Sequence, residues 1–111
     1  MRHFTTAVLE RHRQYSGDFQ TEPYETAWAS EAVFFICAEG IEGRGSQLSA
    51  DVQISADGIH WVNEGTRFEP ITEPGDRFVR ILHFGGWLRL SGRVEGEGAK
   101  FTTTIHLVLK E

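Results

Sequence analysis

The residues able to do chemistry are plentiful, but few stand at spacings that chemistry needs. There are five histidines, His3, His12, His60, His83 and His106. No two share the spacing of a metal-binding helix and no cysteine stands near them, which argues against a metal site. The one cysteine, Cys37, lies inside the apolar run Val33-Phe34-Phe35-Ile36-Cys37-Ala38. It has no partner for an internal disulfide and no local base or positive charge to make it a thiolate, so it reads as a small buried hydrophobe. Carboxylates such as Glu22, Glu25, Glu31, Glu39 and Glu42 are scattered around turns, and no pair is marked out as the acid and base of a glycosidase. Ser46, in Gly-Arg-Gly-Ser-Gln, lacks the surroundings of a nucleophile elbow. The glycines around it lack the Lys and the Ser or Thr of a phosphate loop. The expectation is a protein that is not an enzyme and carries no cofactor and no metal.

The tryptophans and a few arginines carry more. Trp87 alternates with Arg89 and Arg93 on what reads as the polar face of a strand, and Trp28 stands among Ala27, Ala29 and Ser30. An exposed aromatic on a β-sheet can stack on a sugar ring or meet a partner's apolar patch. The arginines, with Arg80 across the sheet, can meet acidic surface on a neighbour and set its register. Trp87, Arg89, Arg93 and Trp28 therefore form the candidate interaction surface. The opposing reading has each indole closing one end of the core, and that reading is preferred for Trp61 and, by a narrower margin, for Trp87.

Strands must position these residues. Leu48, Ala50, Val52 and Ile54 alternate with Ser49, Asp51, Gln53 and Ser55, the period of a half-buried strand. Asp57-Gly58 turns the chain, and His60-Trp61-Val62 starts the return. Asn63-Glu64-Gly65 reads as a second turn, residues 66–72 as a weak strand with Pro70 at an edge or bulge, and Glu73-Pro74-Gly75-Asp76 as a tight turn. Residues 77–83 form the next strand, broken by Gly85-Gly86. Leu88, Leu90 and Val94 then line one face, Gly96-Glu97-Gly98 reads as a turn, and Phe101, Thr103, Ile105, Leu107 and Leu109 point inward from the last strand. Earlier in the chain, residues 32–38 read as a central strand buried on both faces and residues 40–46 as a flexible glycine loop. Residues 4–15 are ambiguous. A helix over 7–14 would carry little apolar face, so a strand over 4–11 is preferred, with a turn at Ser16-Gly17-Asp18 and an extended segment over 21–29. Seven or eight short strands with turn chemistry between them predict an all-β fold, an antiparallel β-sandwich with jelly-roll-like character.

Bulk properties agree. The chain has 111 residues, 40% hydrophobic and 24% charged, which suits one globular domain over 1–111. Such a chain folds to roughly 6,200 Å² of surface and buries about two-thirds of what it exposes unfolded, so a core needs no disulfide. The net charge of −5 repels phosphate backbones, so nucleic acid is not an expected partner. The longest apolar stretch is far too short to cross a bilayer, and the first ten residues lack the apolar core of a signal peptide. The expectation is no membrane contact and a cytoplasmic or virion-associated protein.

The segment Ser55-Ala-Asp57-Gly58-Ile-His-Trp61 fits a Ser-x-Asp-Gly-x-x-Trp pattern, and Phe84-Gly85-Gly86-Trp87-Leu88-Arg89 follows about 25 residues later. Together with the alternating last strand, this resembles the small jelly-roll sandwiches of phage and prophage structural proteins. It is also similar to carbohydrate-binding and discoidin-like sandwiches. The resemblance covers residues 32–110. In such families the motif is scaffold, so no functional residue carries over. The first likeness implies a structural or assembly module, such as a virion decoration or minor structural protein, with a protein partner or further copies of itself. The second implies a carbohydrate-binding module. Residues 1–30, whose core pattern is weak, are the expected N-terminal interaction arm.

Overall fold

The computed structural model describes residues 3–111; Met1 and Arg2, at the head of the expected arm, lie outside the described residues. Seven strands follow one another: β1 (Phe4–Tyr15), β2 (Gly17–Gln20), β3 (Tyr24–Glu25), β4 (Glu31–Ser55), β5 (Val62–Ile71), β6 (Gly75–Leu82) and β7 (Trp87–Lys110). All pairings are antiparallel and join the strands into one sheet. The expected all-β antiparallel class holds. The hydrogen bonding does not divide the strands into two sheets, and a jelly-roll order does not follow from it.

The centre of the sheet is a ribbon of two long strands. β4 and β7 pair from Glu31↔Lys110 at one end to Ser55↔Trp87 at the other. At about 3.4 Å per residue a straight strand of β7's 24 residues would run roughly 80 Å. The molecule's longest dimension is only 46 Å. A short segment shows where the length goes. The Thr26 N–H donates to the Gly86 carbonyl at 2.7 Å, and the Ser30 N–H donates to the Lys110 carbonyl at 2.8 Å. Five residues thus tie the two ends of β7 together, so the ribbon is creased in its middle and doubled back.

The crease makes two half-sheets. In the first, β1 and β6 flank the C-terminal half of β7 and the N-terminal half of β4. In the second, β2, β3 and β5 flank the remaining halves. Between them lies one core. Phe34, Ile36, Leu48, Val52, Leu88, Leu90, Phe101, Ile105, Leu107 and Leu109 are all fully buried. Every inward position expected for the last strand is fully buried. With no helix among the described residues, nothing else covers these faces, and a shortest dimension of 19 Å suits two layers about 10 Å apart.

Several expectations change. The glycine stretches 40–46 and 96–98 are neither loop nor turn. They lie opposite each other as the crease of the ribbon, with register shifts between Ala38 and Gly40, Glu42 and Arg44, and Arg44 and Gln47. These bulges bend both strands without ending the ladder. Residues 63–65 are likewise a bulge inside β5. Asp51 pairs with Arg67 and Gln53 with Asn63, so β5 spends two extra residues there, and Gly65 takes a positive φ of 113°. Residues 32–38 are buried on one face only, because a single opposing layer covers them; Phe35 is 37% exposed on the other. The expected arm is not free. β1 pairs along β7 from Phe4↔Lys110 to Tyr15↔Phe101, and β2 and β3 continue along its other half. Tyr15 and Phe19 stack at 4.0 Å beneath the corner where the chain passes between half-sheets. The strand preferred for residues 4–11 is present and runs on to Tyr15.

The crease depends on two glycines that face each other's backbone. A β-carbon on Gly43 would fall 2.6 Å from the Glu97 carbonyl oxygen and 2.8 Å from the Ala99 Cα. One on Gly96 would fall 2.9 Å from the Arg44 carbonyl oxygen and from the Ser46 Cα. Both also hold positive φ, 98° and 130°. Gly43→Ala or Gly96→Ala is expected to cost about 2–4 kcal/mol in urea unfolding, from the clash together with the backbone strain. Gly45→Ala, at φ 60° with nothing within 4 Å of the added carbon, is expected to cost only about 1–2 kcal/mol.

Candidate interaction surface

The outward side chains of the two half-sheets differ in kind. On the second half-sheet the outer face is polar and largely satisfied within the chain. Arg93 grips Asp18 through two hydrogen bonds, 2.6 and 3.4 Å. That contact holds the Asp18 carboxyl below its usual range and raises Arg93. Arg89 donates to Gln53 at 2.8 Å and stacks over the Trp61 ring at 4.3 Å. Gln53 donates in turn to Asn63 at 3.0 Å, and Arg67 approaches Asp51 at 3.7 Å.

Three of the four candidate residues lie on this face. Trp87 is half-buried, and its indole rests on Gly58 so closely that a β-carbon there would fall 3.1 Å from the ring. Arg89 and Arg93 have partners within the chain, as above. Trp28 is elsewhere, in the turn between β3 and β4, edge-on to His3 with ring centres 5.2 Å apart.

The Ser-x-Asp-Gly-x-x-Trp segment is a closed turn network. Ser55 Oγ accepts from the Asp57 and Gly58 N–H groups, and Asp57 Oδ1 accepts from those of Ile59 and His60. Asp57 Oδ2 meets His60 Nδ1 at 2.8 Å. These bonds, that to the His60 ring first, hold the Asp57 carboxyl well below the usual carboxylate range. The motif shapes the loop over which Trp87 packs.

The outer face of the first half-sheet carries exposed apolar side chains among polar ones. The register aligns Val8, His106, Phe35 and Phe78 in one row across β1, β7, β4 and β6. The next row is Thr6, Val108, Val33 and Arg80, and the next Phe4, Lys110, Glu31 and Leu82. Phe4 is 67% exposed, Phe78 50%, Leu82 53% and Val8 42%. Phe35 and Phe78 touch, with ring centres 5.9 Å apart. Lys110 and Glu31 stand between Phe4 and Leu82, and His106 between Val8 and Phe35.

At the crease end this face opens into a shallow groove of about 620 Å³, bordered by His12, Cys37, Glu39, Asp76, Thr104 and His106. His12 sits at a bulge of β1 with φ 49°. Its Nδ1 lies 2.8 Å from Glu39 Oε2, its N–H donates to Thr104 Oγ1, and that hydroxyl donates to Glu39 Oε1. The Cys37 thiol is pushed up to about 11, first by its hydrogen bond to Asp76 and then by burial, so it stays protonated and weakly nucleophilic. Among the described residues no three His, Cys, Asp or Glu side chains are placed to hold a metal ion.

Sequence reasoning missed Phe4, Val8, Phe35 and Phe78 as a surface. The signal was present: residues 33–37 are apolar in both phases of the strand. That pattern was read as burial on both sides, when one phase supplies the core and the other the outer face.

Two substitutions check these assignments. Trp87→Ala is expected to lower stability by about 2 kcal/mol, since it strips half-buried packing from the 55–61 loop; the urea midpoint reports it. Asp57→Asn tests the loop. A carboxyl whose folded pKa is lowered stabilises the fold above its unfolded value near 3.9, and that contribution is lost as pH falls through the folded value. The wild-type advantage in thermal midpoint should therefore be full at pH 5–6 and shrink below about pH 4.

No family model and no curated protein matches the chain. Among solved structures, the chain is similar to the crystal structure of the SPBc2 prophage-derived protein YomS, with a TM-score of 0.62 and 8% identity over 100% of this chain and 96% of that one. At that identity the likeness is one of fold. Among the described residues no helix is long and apolar enough to cross a membrane.

Proposed function

We propose that the protein is a non-catalytic structural module that assembles with copies of itself, in the manner of a decoration or minor structural protein of a phage particle. The observation that carries this is the contrast between the two outer faces. One is a set of internally satisfied polar contacts; the other exposes the large apolar side chains Phe4, Val8, Phe35, Phe78 and Leu82 among polar ones. Apolar area of that kind gains from leaving water at roughly 25 cal/mol per Å², and a self-assembling protein uses it at every contact. The whole-chain fold likeness to a prophage-derived protein supports the same reading. We class the doubled sheet with the β-sandwiches, a scaffold that presents broad flat faces and strand edges to neighbours. The working location on this reading is the cytoplasm during assembly and the particle afterwards.

The test is the solution mass of the chain by light scattering across a concentration series. The wild type is expected to form closed assemblies larger than a dimer. Phe4→Ser with Val8→Ser, both exposed and remote from the core, should reduce the mass while leaving the thermal midpoint within a few degrees, as expected of surface changes. A wild type that stays at 12.6 kDa throughout overturns the reading.

A further inference from the structure

A sheet that ends in open edges must protect them or use them. Three of the edges here are protected. β1 carries two register shifts, between Val8 and Glu10 and between Glu10 and Arg13. β5 carries two more, and Pro70. β2 and β3 are only four and two residues long. β6 has none of these devices. Its eight residues, Gly-Asp-Arg-Phe-Val-Arg-Ile-Leu, pair with β4 in unbroken register from Ala38↔Gly75 to Glu31↔Leu82. It contains no Pro, its charges are Asp76, Arg77 and Arg80, and its other side pairs with no strand among the described residues. β5 runs nearby in the other half-sheet across a cleft of about 400 Å³ between residues 67–69 and 76–79, but no backbone hydrogen bond crosses it among the described residues.

The outward side chains of β6 read Asp76, Phe78, Arg80 and Leu82. We propose that β6 pairs antiparallel with β6 of a second copy, about a two-fold axis through Phe78. That register sets Phe78 opposite Phe78 of the second copy. It sets Asp76 opposite Arg80 of the second copy, and Arg80 opposite its Asp76, so the ion pair occurs twice. Directly opposed aromatic and opposite-charge pairs are the favourable cross-strand combinations, and like charges in the same places repel. A two-fold contact requires a surface complementary to itself, and a strand with opposite charges placed symmetrically about a central aromatic meets that requirement. Asp76 and Arg80 form no ion pair among the described residues. Asp76 lies opposite Cys37 in the ladder, and Arg80 leans over the Phe78 ring at 5.1 Å. Pairing makes one continuous sheet from two first half-sheets and places their apolar outer faces side by side. The proposal deepens the assembly reading, naming a second copy as the partner and one strand edge as the contact.

The experiment is a charge swap read by analytical ultracentrifugation. Asp76→Arg alone and Arg80→Asp alone each place like charges opposite each other twice, and each should weaken the dimer at least tenfold. The double variant restores opposite charges and should recover the wild-type constant to within a few-fold. Phe78→Cys in a Cys37→Ser background gives a second readout that needs no stable reversible dimer. Opposed residues in an antiparallel pair lie about 4.5–5.5 Å apart at Cα, within disulfide reach, so mild oxidation should yield a covalent dimer. Val62→Cys, on the exposed edge strand β5, should not. A dimer indifferent to the single reversals, a double variant as weak as the singles, or absence of the Phe78→Cys cross-link overturns the proposal. Larger assemblies that ignore the reversals leave the outer-face reading standing without edge pairing. A swap-sensitive dimer that grows no further leaves edge pairing standing without the outer-face reading.

Discussion

Everything in this fold hangs from a crease. β4 and β7 could form a straight two-stranded ribbon far longer than the molecule, with one apolar face and nothing to cover it. Folding the ribbon in half turns that face onto itself, and the core exists only because of this. The crease demands backbone against backbone, with Gly43 on residues 97–99 and Gly96 on residues 44–46. The flanking strands then have their places dictated. β1 and β6 extend the first half, β2, β3 and β5 the second, and the corner at Ser16 is where the chain follows β7 around its own bend.

Much of this was legible in residue order, for a reason that also marks the limit. Alternation has period two wherever one face is buried, so the inward positions from Leu48 to Val52 and from Phe101 to Leu109 could be read one by one. That the chain turns at Asp57-Gly58 could be read too, because its chemistry is local, but the connection spans residues 55–61 and the return strand begins at Val62 rather than His60. The crease could not. Glycines with positive φ serve turns and bulges alike, and only the partner strand decides between them. Residues 40–46 and 96–98 each looked like the end of a strand, when each continues its own strand opposite the other. The outer face was hidden for a related reason. Phe35 and Phe34 are adjacent and equally apolar, and nothing local says that one layer rather than two covers them.

The candidate surface chosen from the sequence shows the same limit in reverse. Trp87, Arg89 and Arg93 look available on paper because they fall on the polar face of their strand. Their availability depends on residues distant in the chain: Asp18 on Arg93, Trp61 over Arg89, Gly58 under Trp87. Polar and aromatic side chains of this kind take up cross-strand neighbours easily, whereas Phe4 and Phe78 stay at least half exposed. Which outward side chains have partners within the chain is decided by pairing, which only the register reveals.

The position of β7 also governs when the molecule can come into being. It is the last strand in the chain and the most central in the sheet, the one to which β1, β2, β3 and β4 all pair. A ribosome therefore delivers three strands with no partner and a fourth with only its flanks before it delivers the strand that organises them. Until then the nascent chain holds little beyond the local pairings of β4 with β5 and β6, and contacts so distant in sequence form slowly. Folding here waits for β7, and the apolar segments made earliest spend the longest time waiting in the open.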